Sequence, residues 1–497
     1  MTLKARIVQL HPLYLFFSLS LVFFVFYLIQ IPFCTRYSDV LVHSCRSLSD
    51  LPILHYAYLD ERSHFLYGTK ALPNYHLGHT VLLWFIYHIV PKSLAVTIWP
   101  SGFLASICGS LVVGFTFLIW LHLGLQKYAS FIISIVVGLI PSIWSMNLVG
   151  AVYSLQLLSI LLFLYFFLRN HIFLSSLAFL FANLVSPLSA LSFPVLFIKS
   201  HDKDTFIKAF YIGFIALLAY FLVYYLIDSN ILRTFELASK AYTKRSMSWH
   251  FLRFGIVLIL NINFLLIFLV TGSGLAWQQH RNLVYGLLPA FMFQLILPFY
   301  KSGFLSITNP YLLLLFWILS FPIGLAIANY NKLRYTVVFA FTGLFVLTQL
   351  VCIIPNKHIG VALDEAGKQL HSRVPEELKI VGHWGSSIGV VLGKYGPDFN
   401  KLTSKYIEFE FPSENDLLTT GEDSLIVVIS KTPQWKKELS KLPISMFEIK
   451  DRNFDEQSFS GSIQLIFEND VVCIYKWDKK LIQSIGLREY SQFNIVD

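Results

Sequence analysis

A single carboxylate, Asp39, stands in CTRYSDVLVHSC (residues 34–45), just after Phe33 closes the first long apolar run of the chain. Tyr37 and His43 lie close by, and Cys34 and Cys45 bracket the stretch. At a boundary between water and hydrocarbon a carboxylate is partly desolvated, which raises its pKa toward the range useful to a general base. The plainer reading is that Asp39 marks the solvent edge of a helix. The cysteines pair if this loop faces an oxidising compartment and stay as thiols otherwise; the sequence leaves both open.

Other polar groups recur at comparable boundaries. His76 and His79 open LPNYHLGHTVLLWF (72–85), a segment expected to lie on a bilayer surface as an amphipathic helix. Asn147 and Tyr153 fall in PSIWSMNLVGAVYSLQ (141–156), read as a turn that interrupts two apolar runs. Polar groups at that depth are satisfied internally or line a cavity. Arg233, Lys240, Lys244 and Arg245 cluster in residues 228–250, and such a cluster suits a phosphate held by charge-assisted bonds as well as it suits a solvated helix face.

The elements that must position these groups are hydrophobic spans. The chain has 497 residues, 56% of them hydrophobic and 13% charged, against about 25% charged in a soluble protein. Apolar runs near span length recur up to residue 355, at about 14–34, 98–124, 128–147, 151–168, 171–187, 207–227, 251–273, 282–299, 311–329 and 335–355. Lys4 and Arg6 precede a run too long for a cleaved signal, so the run is expected to remain as an anchor. The net charge of +9 fits orientation and lipid headgroups better than nucleic acid. No zinc-ligand spacing, Walker-type loop or heptad array occurs. Cys108 and Cys352 lie in apolar runs and Cys473 in a strand-like one, all expected in the core.

Two short segments decide the topology. If 76–91 lies along the surface and 188–199 crosses or re-enters, then Lys127, Arg169, Lys199, Lys203, Lys208, Arg281, Lys332 and Arg334 share the side of Lys4 and Arg6. The positive-inside tendency favours that arrangement: about eleven crossings, N-terminus cytoplasmic. A first loop (35–97), a second loop (228–250) and residues 356–497 then face outward. The last region carries charges throughout, with short apolar runs at 379–384, 423–430, 445–450 and 462–477 and a helix-like stretch after the first. It is expected to be a small extracytoplasmic α/β domain ending in a hairpin, with residues 1–355 forming the membrane domain.

An acid soon after the first span, a long outward loop with surface helices, a cluster of spans and an outward C-terminal domain together resemble the GT-C class of integral membrane glycosyltransferases. The phrases YSD (37–39), LPNYHLGHTVLLWF (72–85), PSIWSMNLVGAVYSLQ (141–156) and VSPLSALSFP (185–194) resemble counterparts in bacterial O-mannosyltransferase-like members. The likeness covers the N-terminal two-fifths of the chain and is loose beyond it. The class also includes O-antigen-modifying glucosyltransferases.

The resemblance implies an inverting hexosyltransferase that takes a sugar from a polyprenyl-phosphate donor to a glycan, lipid or protein acceptor, and the absence of any N-x-S/T sequon favours a bacterial inner membrane over an endoplasmic reticulum. Asp39 matches the first-loop carboxylate that activates the acceptor. Tyr37, His43, His76, His79, Asn147 and Tyr153 are expected to contact or orient substrate, and Arg233, Lys240, Lys244 and Arg245 to hold the leaving phosphate. The chain departs from the pattern in lacking a second acid beside Asp39 and the acid often seen at the second outward loop. No cofactor is expected, and metal dependence has no support in the residues. A lipid-linked sugar transporter and an O-antigen polymerase are the rival readings. The first usually shows two related halves, and no internal repeat is present.

Overall fold

The computed structural model describes residues 3–31, 77–89, 99–149, 152–199, 203–227, 247–300, 312–329, 334–350, 354–375, 377–382, 390, 406–408, 414–431 and 463–479. The chain divides into two compact units, one helical and built largely from Trp99–Pro355 with the N-terminal helices, the other holding the chain from Asn356 onward.

The helical unit opens with α1 (Leu3–Gln9) and α2 (Pro12–Leu28). Pro12 sits in the first turn of α2, where its missing N–H is no loss, and His11 Nδ1 caps the helix by accepting from Leu13 N–H. One face of α2 buries Leu15, Phe16, Leu19, Phe23 and Tyr27 at helical spacing, while Phe17, Leu21, Val22 and Val25 on the other face stay exposed. Such an apolar outer face suits hydrocarbon and not water. The buried face packs on α4 (Trp99–His122), with Val113, Phe117, Trp144 and Leu148 in the same cluster.

Between them comes α3 (Leu77–Ile89), and after α4 a turn at Gly124, whose positive φ of 87° suits glycine. Then α5 (Lys127–Leu139) starts beside the N-terminal helix: Lys127 Nζ donates to Val8 O at 2.7 Å and Leu10 O at 2.9 Å. An ammonium on the free carbonyls at the end of α1 complements that helix terminus. It also brings the α4–α5 turn to the same end of the unit as the N-terminus.

The run expected at 128–147 is not one straight span. It breaks at Ile140, and α6 (Pro141–Val149) leaves at 63° to α5. Pro141 removes an N–H from the ladder, and the buried Ser142 N–H at the start of α6 finds a distant acceptor, Asn261 Oδ1, at 2.8 Å. Residues 141–149 are therefore helix rather than turn. α7 (Val152–Leu168) and α8 (Ile172–Val185) follow as an antiparallel pair, with Phe163 stacked on Phe179 and Ser175 Oγ donating to Phe163 O.

Residues Pro187–Lys199 form a 3₁₀ helix of 13 residues with Pro194 inside it. At roughly 2.0 Å rise per residue it is about 26 Å long, close to a hydrocarbon thickness that an α-helix of the same count would not reach. α9 (Lys203–Ile227), α10 (Met247–Ile262), a 3₁₀ turn at Asn263–Leu265, α11 (Leu266–Gln279), α12 (Arg281–Tyr300), α13 (Leu313–Asn329) and α14 (Arg334–Thr348) complete the unit. A Cβ on Gly272 of α11 would collide with Pro322 O of α13, so the absent side chain permits close backbone approach. Trp317 Nε1 donates to Thr116 Oγ1 at 3.0 Å, which in turn donates to Val112 O, so these buried polar groups are satisfied across helices. Two described stretches, Ser101–His122 and Phe254–Gln279, are each long and apolar enough to cross a membrane, and further shorter apolar helices surround them.

In the second unit α15 (Ile354–Arg373) leads to β1 (Lys379–Gly382), β2 (Tyr406–Glu408), α16 (Glu414–Thr419), β3 (Ser424–Ser430) and the hairpin β4 (Ile463–Glu468) and β5 (Val472–Asp478). Sheet order is β2-β1-β3-β5-β4, with β1 parallel to both neighbours and β3–β5–β4 antiparallel. Val381, Leu425, Val427, Cys473, Tyr475 and Trp477 fill one face together with Leu417 of α16. Strands therefore form at 379–382, 424–430 and 463–478, where apolar runs stand in the sequence; the run at 445–450 and the stretch after β1 lie outside the described residues, apart from Val390.

Candidate functional site

Asn147 is the polar hub of the helical unit. Ser154 Oγ of α7 donates to its Oδ1 at 2.7 Å, and Ser106 Oγ of α4 donates to its backbone carbonyl at 3.1 Å. The Asn147 side chain lies directly over Gly109 of α4, where any Cβ would collide with it. Tyr27 of α2 reaches the same place: its hydroxyl sits beside the Asn147 side chain and donates to Gly138 O at 2.7 Å. Four helices thus converge on one asparagine. Among the described residues, Asn147 Nδ2 and, one turn earlier on α6, Trp144 Nε1 are buried with no hydrogen-bond acceptor at ordinary length. The Tyr27 hydroxyl oxygen is the acceptor that stands beside the Asn147 amide.

The end of α6 next to the hub also approaches Ile31. A Cβ on Gly102 would meet Ile31 Cγ2 at 2.9 Å on one side and Leu148 O at 3.3 Å on the other. Ile31 is the last described residue before the stretch that carries Asp39, so α4 holds the entry to that stretch and the end of α6 within one side-chain width. Gln30 adds a second tie, accepting from Gln349 Nε2 at 2.5 Å and donating to Phe26 O at 2.7 Å.

The sequence-derived site residues divide accordingly. Asn147 is brought into the hub. Tyr153, next to Ser154 on α7, is buried. His79 is buried in packing rather than displayed on a polar face: its neighbour Gly78 sits against Phe181, Leu184 and Val185 at the end of α8. Tyr37, Asp39, His43, His76, Arg233, Lys240, Lys244 and Arg245 lie outside the described residues. Sequence reasoning missed Tyr27, Ser106, Gly109, Ser154 and Asn261. A signal was present for two of these, since Gly102, Ser106 and Gly109 recur at helical spacing in SGFLASICGS and make a small-residue stripe for close helix contact.

No family model matches the sequence, and no curated protein matches it. Solved structures do. ArnT from Cupriavidus metallidurans in the apo state superposes with a TM-score of 0.62 at 11% identity, covering 94% of this chain and 98% of that one. The same protein bound to undecaprenyl phosphate gives 0.53 at 12% identity over 93% and 97%. The Archaeoglobus fulgidus oligosaccharyltransferase in the apo form gives 0.51 at 10% identity over 87% and 72%. The chain therefore has the fold of the GT-C class of membrane glycosyltransferases.

Proposed function

We propose that this chain is a membrane glycosyltransferase that moves a sugar from a polyprenyl-phosphate-linked donor to a glycan, lipid or protein acceptor at the outer face of a cell membrane. The observation that carries the reading is the shared fold over nearly the full length of both chains, 94% and 98%, with a protein also solved bound to undecaprenyl phosphate. The rival transporter reading has no such support.

Asp39 is the general base. It follows the first span closely enough to receive an acceptor hydroxyl from the water while the donor's lipid tail stays in the bilayer. It takes the hydroxyl proton as the oxygen attacks the anomeric carbon, and the polyprenyl phosphate leaves from the opposite face, inverting the centre. Arg233, Lys240, Lys244 and Arg245 balance the charge that develops on the leaving phosphate. Tyr37, His43 and His76 orient the substrates, while Asn147 and its partners fix the floor from which the first loop departs. The geometry at Gly102, which pins Ile31 to Leu148, supports that role.

Eleven crossings accommodate the fold: α2, α4, the bent pair α5–α6, α7, α8, the 3₁₀ helix, α9, the joined α10–α11, α12, α13 and α14. The N-terminus is then cytoplasmic and the second unit extracytoplasmic. The pairing of Lys127 with the end of α1 supports it, because both basic segments then share one side.

Mass spectrometry of envelope glycans, lipids and proteins with and without the gene tests the function. The expected result is one sugar missing from one defined acceptor. An unchanged acceptor set, with lipid-linked sugars accumulating on one side of the membrane, would return the chain to the transporters.

A further inference from the structure

In the second unit a groove of about 330 Å³ lies between the end of α15 and the β4–β5 hairpin, lined by Arg373, Val374, Pro375, Leu378, Gln464, Leu465, Ile466 and Lys476. Its shape comes from a bulge in β4: Leu465 pairs with Tyr475 and Phe467 with Ile474, leaving Ile466 as the extra residue. The Arg373 guanidinium holds the bulge by donating from Nη1 to Ile466 O at 3.4 Å. Lys476 stands across the hairpin, paired in register with Gln464.

The charges around the groove are unequal. Of the described acids on these elements, Glu422 pairs with Lys379 at 2.6 Å, Glu468 with Lys431, and Asp470 with His358 at 3.3 Å, while Glu377 directly precedes Leu378 in the chain and Asp478 follows Lys476 by two residues. Among the described residues neither Arg373 nor Lys476 meets a carboxylate. Among the described residues the Arg373 guanidinium spends one donor, on Ile466 O, and Lys476 brings three more. Beside these two cations Gln464 offers an amide that can give and take hydrogen bonds. Val374, Pro375, Leu378 and Leu465 supply aliphatic wall.

The geometry points to a binding site for a sugar-sized oxyanion, a phosphate or carboxylate carried on a saccharide. Two cations meet the oxyanion, the Gln464 amide meets hydroxyls, and the aliphatic wall meets the C–H face of the ring. The volume lies at the small end of ligand pockets, which suits a single monosaccharide unit. The site is independent of the first-loop chemistry: it adds a recognition function to the second unit whether or not Asp39 is the base.

Calorimetric titration of the full chain in nanodiscs tests it with four probes: glucose 6-phosphate, glucuronate, glucose and inorganic phosphate. Binding is expected for at least one of the two charged sugars. It should exceed that of glucose and of inorganic phosphate, and weaken as salt rises because the cations are solvent-accessible. The Arg373→Gln/Lys476→Gln chain should bind that sugar at least about tenfold more weakly, each charge-assisted bond contributing on the order of a factor of ten. Arg373→Lys, which keeps the charge and loses the fork, should fall between, and unchanged thermal unfolding of both variants would exclude misfolding. Equal binding of glucose, no binding of either charged sugar, or full binding by the double variant would each overturn the proposal. So would displacement of the sugar when the nanodisc lipid is changed from phosphatidylcholine to phosphatidylglycerol, which would assign the groove to headgroups.

Discussion

Ser154 Oγ donates to Asn147 Oδ1 across 2.7 Å in the buried interior, joining α6 to α7. In a low-dielectric interior removing one member of such a pair costs more than the pair contributes, because the other is left unsatisfied. Asn147→Ala strands the Ser154 hydroxyl and keeps the backbone carbonyl that accepts from Ser106, so thermal unfolding in detergent should show a loss of about 1–3 kcal/mol. Ser154→Ala should cost less. The double variant should lose less than the sum of the two, because both remove the same bond; strict additivity would mean that the bond contributes nothing.

Packing against Asn147 gives a second expectation. Gly109→Ala puts a methyl group where the Asn147 side chain lies, and overpacking of this kind costs about 1–3 kcal/mol. Gly255→Ala is the control, since a Cβ there meets nothing within 4 Å, and in α10 it should be neutral or stabilising by up to about 1 kcal/mol. Equal effects at the two glycines would show that helix propensity, and not the hub, decides the Gly109 result.

The apolar runs were legible as helices because burial in hydrocarbon needs nothing but length and composition. What the sequence could not give is where distant partners intervene. The break at Ile140 falls inside an unbroken apolar run, and its Ser142 N–H is capped by Asn261, 119 residues away. The 3₁₀ geometry of Pro187–Lys199 is likewise hidden: as an α-helix it is too short to cross, and only its greater rise lengthens it. Asn147 was visible as a polar residue at depth, yet Ser154 and Tyr27, its neighbours, look like ordinary members of apolar runs. In the second unit β2 went unseen because a three-residue strand carries no periodicity to read.

The basic segment 228–250 offers a functional test. Replacing Arg233 and Lys240, or Lys244 and Arg245, with Gln should raise the donor concentration needed for half-maximal transfer about tenfold or more, since each charged contact contributes about 1–3 kcal/mol. Membrane levels should stay normal. An unchanged donor titration would assign these residues to headgroup contacts.

Sidedness is checked by fusion. If the proposed eleven crossings and cytoplasmic Lys4 and Arg6 hold, a reporter joined after residue 360 is active only outside the cytoplasm. Activity confined to the cytoplasm would move the second unit, and the groove at Arg373, to the opposite side from the proposed chemistry.

The central claim is tested most directly by sugar transfer in reconstituted membranes with Asp39→Asn beside the parent and Asp50→Asn. The amide keeps the shape of the carboxylate and loses its basicity, and removal of a general base lowers rates by roughly 10²–10⁴-fold. Asp39→Asn is expected to fold and insert as the parent does yet transfer almost nothing, while Asp50→Asn, further into the loop, retains most activity. Near-normal transfer by Asp39→Asn would contradict it.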